Sequence, residues 1–532
     1  MLIDYAKIIL PIILLLTTKI SAQTTSLPWW NDRVFYEIFV RSFYDSDGDG
    51  VGDLQGVIDK LDYLNDGDPH TTDDLGITGI WLMPIMDAAS YHGYDVTDYL
   101  RVHPDYGTND DFLRLIDAAH ARGIAVIIDL VINHTSSQHP WFQASAVGDP
   151  AYADWYVWAD ADPGFVGPIG QRVWHPRADR FYYGLFWGEM PDLNLSNPLV
   201  TAELYEIARF WLEEMGVDGF RIDAAKHLIE NGAEQEHTAA TLAWLRDFKA
   251  HVKAIKSDAL LVGEVWSPSR IAARYVPDAV DLVFDFELAA TIVASARGRN
   301  PSGIRAGIEA AQALYPFGQY AAFLTNHDQN RVMSEVRSVD AAQIAAAALL
   351  TAPGVPFIYY GEEIGMQGRK PDERIRTPMQ WDSTRNAGFT SGAPWQPLQD
   401  DWQSVNAADQ ADDPASLLSF YRDLIHLRSR RPALQHGSFH TVSALSSRLL
   451  AFLRRTDEER LLVIFNFNTD PVSGYTLNYD GGGLESVTEA QIIFGSADQP
   501  LAAPVIDAQG GFSSYAPLPV LSERSVTILA LQ

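Results

Sequence analysis

The chain has 532 residues, no cysteine and a net charge of −30 from 69 acidic against 39 basic residues. That excludes disulfides, thiolate metal sites and a cysteine nucleophile, and a field this acidic repels polyanions, so nucleic acid is not an expected partner. With 47% hydrophobic and 20% charged residues, the chain is globular rather than disordered and has room for roughly two to four domains.

Taken from the start, an apolar run from Ile8 to Leu16 follows Lys7 and precedes Ser21-Ala22. A bilayer span needs about 20 apolar residues, so the run reads as a secretory signal peptide over 1–22. Export without cysteine fits a periplasmic or secreted protein, one with no membrane attachment once the leader is cut.

Beyond it, eight apolar runs alternate with amphipathic helices: Val34–Phe43, Ile77–Ile85, Ala125–Ile132, Gly219–Asp223, Leu260–Trp266, Leu282–Leu288, Ala321–Asp328 and Pro356–Glu363. Thr108 and Asp111 form a capping box for a helix that Gly123 closes, and Asn197-Pro198 opens another that Gly216 stops. This rhythm predicts a parallel sheet closed as a (β/α)₈ TIM barrel, with chemistry at the carboxyl ends of its strands.

Two stretches break the rhythm. Residues 135–196 carry Trp141, Trp155, Trp158, Trp174 and Trp187, too long a connection for an ordinary loop, and read as an inserted subdomain. After Pro432 the helical pattern gives way to alternating runs, which predict a C-terminal antiparallel β-sandwich. The expected organisation is a barrel over 23–134 and 197–435, the insertion over 135–196 and the sandwich over 436–532.

The loop after the first run carries Asp45, Asp47, Asp49, Val51 and Asp53, with Gly50 at the turn. Oxygen ligands at alternate positions match the first half of an EF-hand loop, but the twelfth position is Gly56, so a full EF-hand is excluded.

Carboxylates stand at or near the ends of three of the strand runs: Asp223 in the fourth, Glu264 in the fifth and Asp328 in the seventh. Acids in apolar strands are costly unless paired or functional. Glycosidic cleavage needs such a set, one carboxylate to attack the anomeric carbon and one carboxylic acid to protonate the leaving oxygen. Arg221, two residues before Asp223, points to the same side of a strand and would keep that acid ionised. The apolar surroundings of Glu264 beside Trp266 would favour a retained proton. His134 and His327 suit sugar hydroxyls.

These segments, together with Met190-Pro-Asp192-Leu-Asn194, resemble the motif set of the α-amylase family, glycoside hydrolase family 13, over essentially the whole chain after the leader. The resemblance implies a retaining double displacement with Asp223 as nucleophile, Glu264 as acid/base and Asp328 holding the sugar. It implies that Tyr94 stacks beneath the sugar and that His92, His134, Arg221 and His327 line the same subsite. It further implies structural Ca²⁺ in the 45–53 loop, and Asn133 and Asp192 resemble a second Ca²⁺ pair. An α-glucan or maltooligosaccharide is the implied substrate, and a monomer is expected.

The finer specificity divides. Lys226-His227 resembles the α-amylases, where the pair contacts leaving-side glucose. Gly93-Tyr94-Asp95 and Arg376-Thr-Pro-Met-Gln-Trp381 resemble the exo-acting α-glucosidases, including oligo-1,6-glucosidases, where the matching Asp and Arg pair over the terminal sugar. The balance favours an α-amylase over an α-glucosidase. A trehalose-synthase-type isomerase shares the second motif, but such enzymes are usually cytoplasmic and the leader argues against one. A catalytically dead scaffold would have lost the carboxylates.

Overall fold

The computed structural model describes residues 27–495 and 499–532; the leader reading lies outside the described residues. Eight strands close into a barrel: β1 (Phe35–Ile38), β2 (Gly79–Leu82), β3 (Ala125–Leu130), β4 (Gly219–Ile222), β5 (Leu260–Gly263), β6 (Leu282–Phe284), β7 (Tyr320–Ala322) and β8 (Val355–Tyr359). Each is parallel to its sequence neighbour, and β1 pairs with both β2 and β8. The TIM-barrel expectation therefore holds, with strands shorter than the apolar runs. The surplus residues form the loops above the carboxyl ends.

Period-2 alternation sorts the strands. Tyr36, Ile80, Val126, Phe220, Leu261, Val283 and Ile358 face the surrounding helices. Phe35, Trp81, Ile127, Leu260, Val262, Leu282, Phe284 and Phe357 fill the barrel itself. Two residues further up, that inward face turns polar: Glu37 follows Phe35, Asp129 follows Ile127, and Arg221 and Asp223 follow Gly219. All four are buried. Gly219 is required by closeness, since a Cβ there would lie 2.1 Å from the Leu260 carbonyl oxygen of β5.

The helices begin where their caps say. Thr108 and Asp111 form the reciprocal capping box of the helix Asn109–Ala121, and the Asn197 side chain caps Pro198–Arg209. The latter continues as one π-turn, Phe210–Glu214, before Gly216.

Between β3 and β4 the chain folds a short helix, Pro140–Ala146, and a three-stranded antiparallel sheet of Trp158–Ala159, Trp174–Arg177 and Arg180–Tyr183. Four of its tryptophans are buried or half-buried, Trp158 stacking on Phe142, whereas Trp187 is 53% exposed. At the other end the helical pattern outlasts Pro432 by one turn, Pro432–His436, before a seven-stranded antiparallel sheet and a two-stranded ribbon. One face of its central strands (Leu450, Phe452, Val463) joins the barrel core, and the other (Leu449, Ala451, Leu462) packs under its own hairpins. Among the described residues no helix is long and apolar enough to cross a membrane.

Candidate active site

The side chains above the polar layer converge on Arg221. One terminal nitrogen, Nη1, donates to Asp129 Oδ1 at 2.7 Å and to Asp223 Oδ1 at 2.6 Å; the other, Nη2, lies 2.9 Å from Glu264 Oε2. A left-handed residue, Ala224 (φ 49°), follows Asp223 and turns its N–H onto Glu264 Oε2 at 2.9 Å. One buried guanidinium thus serves three carboxyls and is not reserved for Asp223, as the sequence suggested. Burial raises the pKa of both Asp223 and Glu264, and Arg221 pulls both back. Burial likewise lifts Asp129 to about 7 against the pull of Arg221, with Asp223 adding to the rise.

Asp328 stands apart electrostatically. Its Oδ1 accepts from Arg376 Nη2 at 2.9 Å, and its Oδ2 lies 3.3 Å from His327 Nε2. Burial would raise this carboxyl, but the His327 and Arg376 charges override burial and hold it well below the usual range. His327 is pushed the other way: burial disfavours its charge, yet Asp328 and Glu37 bring it up to about 9. Tyr94, its ring stacked 5.5 Å from that of His327, places its hydroxyl 2.6 Å from His327 Nε2 and donates to Asp129 Oδ2 at 3.0 Å.

A cavity of about 240 Å³ opens over these groups, lined by His92, Tyr94, His134, Phe186, Met190, Asp223, Glu264, Asp328, Asp372 and Arg376. His134, whose Nε2 sits 3.1 Å from the Tyr94 carbonyl oxygen, is lowered by burial to about 4 and is a neutral imidazole at pH 7. His92 is also lowered, by burial first.

Two expectations are corrected. Arg376 does not pair with Asp95: it reaches Asp328 and, at 3.1 Å, Asp372, while the Asp95 carboxylate accepts the Ser90 N–H and, at 2.6 Å, the Ser90 hydroxyl. The two nearer carboxylates win the guanidinium, and the short Ser90 hydroxyl bond satisfies Asp95 locally. Lys226 and His227, expected at leaving-side glucose, lie outside the lining of this cavity. Lys226 is held by Glu236 (2.8 Å) and the Trp266 carbonyl oxygen (3.0 Å), and His227 sits 3.0 Å from the Gln235 carbonyl oxygen with its ring against Phe186. The second correction concerns the acidic loop. Asp45, Asp47 and Asp49 present ligand oxygens within 4.8 Å of one another, and Gly50 (φ +98°) makes the turn. Asp53 instead caps the helix Leu54–Asp59, accepting the Gly56 N–H at 2.6 Å and two bonds from Ser46. Helix initiation claims that carboxylate. The Val51 N–H donates to Asp49 Oδ1 at 2.8 Å. Asn133 Nδ2 donates to Asp192 Oδ2 at 2.9 Å, so these two side chains bond to each other.

Sequence reasoning missed Glu37, Asp129, Asp372 and Phe186. Glu37 and Asp129 carried a readable signal, a lone acid inside an apolar run. Phe186 lies in a loop and Asp372 opens the one-turn helix Asp372–Ile375, and neither carried one.

The family description "Alpha amylase, catalytic domain" matches residues 37–437. A protein named alpha-amylase 3 from Dictyoglomus thermophilum is 41% identical over 451 residues, covering 83% of this chain and 86% of that one. One named trehalose synthase/amylase TreS from Mycolicibacterium smegmatis is 34% identical over 495 residues, covering 82% of each. The crystal structure of alpha-amylase from H. orenii superposes with a TM-score of 0.82 at 41% identity, over 94% of this chain and 99% of that one.

Proposed function

Since the chain belongs to the α-amylase family of glycoside hydrolases, we propose that it is a secreted, endo-acting α-amylase that cleaves α-1,4-glucosidic bonds of starch and maltooligosaccharides with retention. The observation that carries this reading is the pair of carboxyls on the two ends of one guanidinium, Asp223 and Glu264. That sharing fits the close spacing of a retaining pair, about 5 Å, better than the 6.5–9.5 Å that leaves room for a water.

In the first step an Asp223 oxygen bonds to the anomeric carbon as the glycosidic bond breaks and Glu264 gives its proton to the leaving oxygen. In the second, Glu264 takes a proton from water, whose oxygen displaces Asp223. Asp328, ionised by His327 and Arg376, supports the positive charge that develops on the ring. Endo action is favoured by Arg376 reaching Asp328 and Asp372, which leaves Asp95 free of an ion pair closing over a terminal sugar. A second reading, an exo-acting α-glucosidase, is favoured by the small cavity of about 240 Å³. A reducing-end-labelled maltooligosaccharide separates them. Early labelled fragments of mixed length are expected, whereas glucose released singly from the unlabelled end would overturn endo action.

On the leaving side, Trp266 is 45% exposed, lies two residues past Glu264 and stacks on Phe286 at 4.7 Å. An exposed aromatic face suits a sugar ring. Trp266→Ala is expected to lower kcat/KM on maltoheptaose by a few fold, as losing about 1 kcal/mol of aromatic contact would, while sparing a short substrate with an activated leaving group. Equal losses on both would place Trp266 outside the leaving-side subsites.

Ca²⁺ in the 45–53 loop is part of the same proposal. Asp45, Asp47 and Asp49 would hold it, with Asp53 left to its helix; its role is to tie down the loop. Saturating Ca²⁺ at 100 times its Kd stabilises by about 2.7 kcal/mol, so a chelator is expected to lower Tm by a few degrees. Asp47→Asn with Asp49→Asn should erase that difference, and an unchanged transition in the parent protein would exclude the ion. Export is checked by the N-terminus of the mature protein, expected at Gln23.

A further inference from the structure

Glu37 is the one acid of the barrel's first strand. It lies on the inward face, two residues above Phe35, and is 2% exposed, in the buried polar layer that sits on the apolar filling of the barrel. Its Oε1 sits 2.5 Å from His327 Nδ1. From the opposite ring nitrogen, Nε2, His327 reaches Asp328 Oδ2 and the Tyr94 hydroxyl. The donors then run in one direction. A carboxylate on Nδ1 requires a proton there, and Asp328 requires one on Nε2. The Tyr94 oxygen accepts, freeing its own proton for Asp129, and Asp129 shares Arg221 with Asp223.

We propose that Glu37 is a positioning residue for the glycosidic reaction: it orients His327 and holds both of its ring nitrogens protonated, so that Asp328 always faces a cation. The proposal rests on the reading of Asp328 as a sugar-holding carboxylate, but its own content is the state of His327. Every charged or titratable group around His327 agrees with it. Glu37 on β1 and Asp328 favour the imidazolium. Tyr359 on β8, beside Glu37 in register, Tyr94 and Asp129 add no cation. Arg376 donates its Nε to the His327 carbonyl oxygen rather than to the ring, and Arg221 is bound to carboxylates. Neither Trp81, edge-on to the ring, nor the barrel core offers Nδ1 another acceptor.

The test is Glu37→Gln, which keeps an oxygen for Nδ1 and removes the charge. The titration of His327 is expected to move to lower pH by roughly one unit or more, the shift of losing one close carboxylate, so that the ratio of variant to parent kcat/KM falls as pH rises through that range, with Tm measured to show folding. A loss of kcat that is the same at every pH would indicate packing alone and overturn the proposal. The state of His327 is read independently in the unaltered enzyme by ¹⁵N-histidine NMR, assigned by difference against His327→Asn. Two protonated nitrogens at pH 7.5 are expected, and a neutral ring would overturn the proposal even if Glu37→Gln fails to fold. Because this reading needs no substrate, an imidazolium there with no activity loss in Asp223 variants would fault the catalytic assignment instead.

Discussion

Asp223→Asn is expected to reduce hydrolysis of maltooligosaccharides on the order of 10⁴-fold or more, as removing a nucleophile does in other hydrolases, with the fold retained. Retention of fold follows from the hydrogen bond: an amide oxygen still accepts from Arg221 Nη1, and the site gives up a carboxyl that burial already disfavours as an anion. Glu264→Gln should be comparably damaged on natural substrates but not on α-maltosyl fluoride, whose leaving group needs no proton. The two variants then diverge with azide. In Glu264→Gln the Asp223 carboxylate still forms the β-linked intermediate, and azide displaces it to give an α-glycosyl azide. In Asp223→Asn azide attacks the α-fluoride directly, and the product is the β-azide, fluoride leaving in both. The anomeric configuration, read by NMR, assigns the two roles without any rate comparison. A β-azide from Glu264→Gln would reverse them, and near-normal hydrolysis by Asp223→Asn would remove Asp223 from the reaction.

The difference between what the sequence revealed and what it hid follows from where each acid sits on its strand. Asp223 and Asp328 end their apolar runs and Glu264 stands two residues from the end of its own, so the strand-end rule of barrels drew attention to them directly. Glu37 and Asp129 lie within such runs. Period 2 puts them on the inward face, but only closure of β1 onto β8 brings Glu37 beside His327, and only the pairing of β3 with β4 brings Asp129 beside Arg221; no local pattern encodes either. Competition between partners is hidden in the same way. The Asp95–Arg376 pairing was read from two motifs 281 positions apart in the chain (376 − 95), whereas the outcome was set by Asp372, four residues from Arg376, and by Ser90, five from Asp95. In the acidic loop, alternation suggested five equivalent ligand positions. A helix starting at Leu54 needs a cap, and Asp53 is the residue placed to provide one, through the Gly56 N–H. The barrel itself, by contrast, was legible because its apolar runs repeat eight times with helical stretches between them, some of them marked by caps such as Thr108 and Asn197.

Arg221→Met should unfold at much milder conditions than the parent and do so in a pH-dependent way. The guanidinium is buried, touches Asp129, Asp223 and Glu264, and lies over the rings of Trp81 at 5.4 Å and Tyr94 at 5.8 Å. Methionine keeps much of the packing volume and removes the cation, leaving three buried carboxyls to share none. Breaking a buried ionic group from one side typically costs about 3–5 kcal/mol. The sign of the pH dependence follows from the folded-state values. Burial already holds Asp129 up at about 7, against an ordinary 3.8, and raises Asp223 and Glu264. A carboxyl whose pKa is higher folded than unfolded binds more protons in the folded state, so its contribution to stability falls as pH rises between the two values. Loss of Arg221 raises all three further. The gap in stability between parent and variant is therefore widest near pH 8 and narrows toward pH 4–5, where the carboxyls go neutral on folding. Urea unfolding at a series of pH values measures it. A gap of the same size throughout would mean that Arg221 acts by packing, and that the three carboxyls are balanced by something other than its charge.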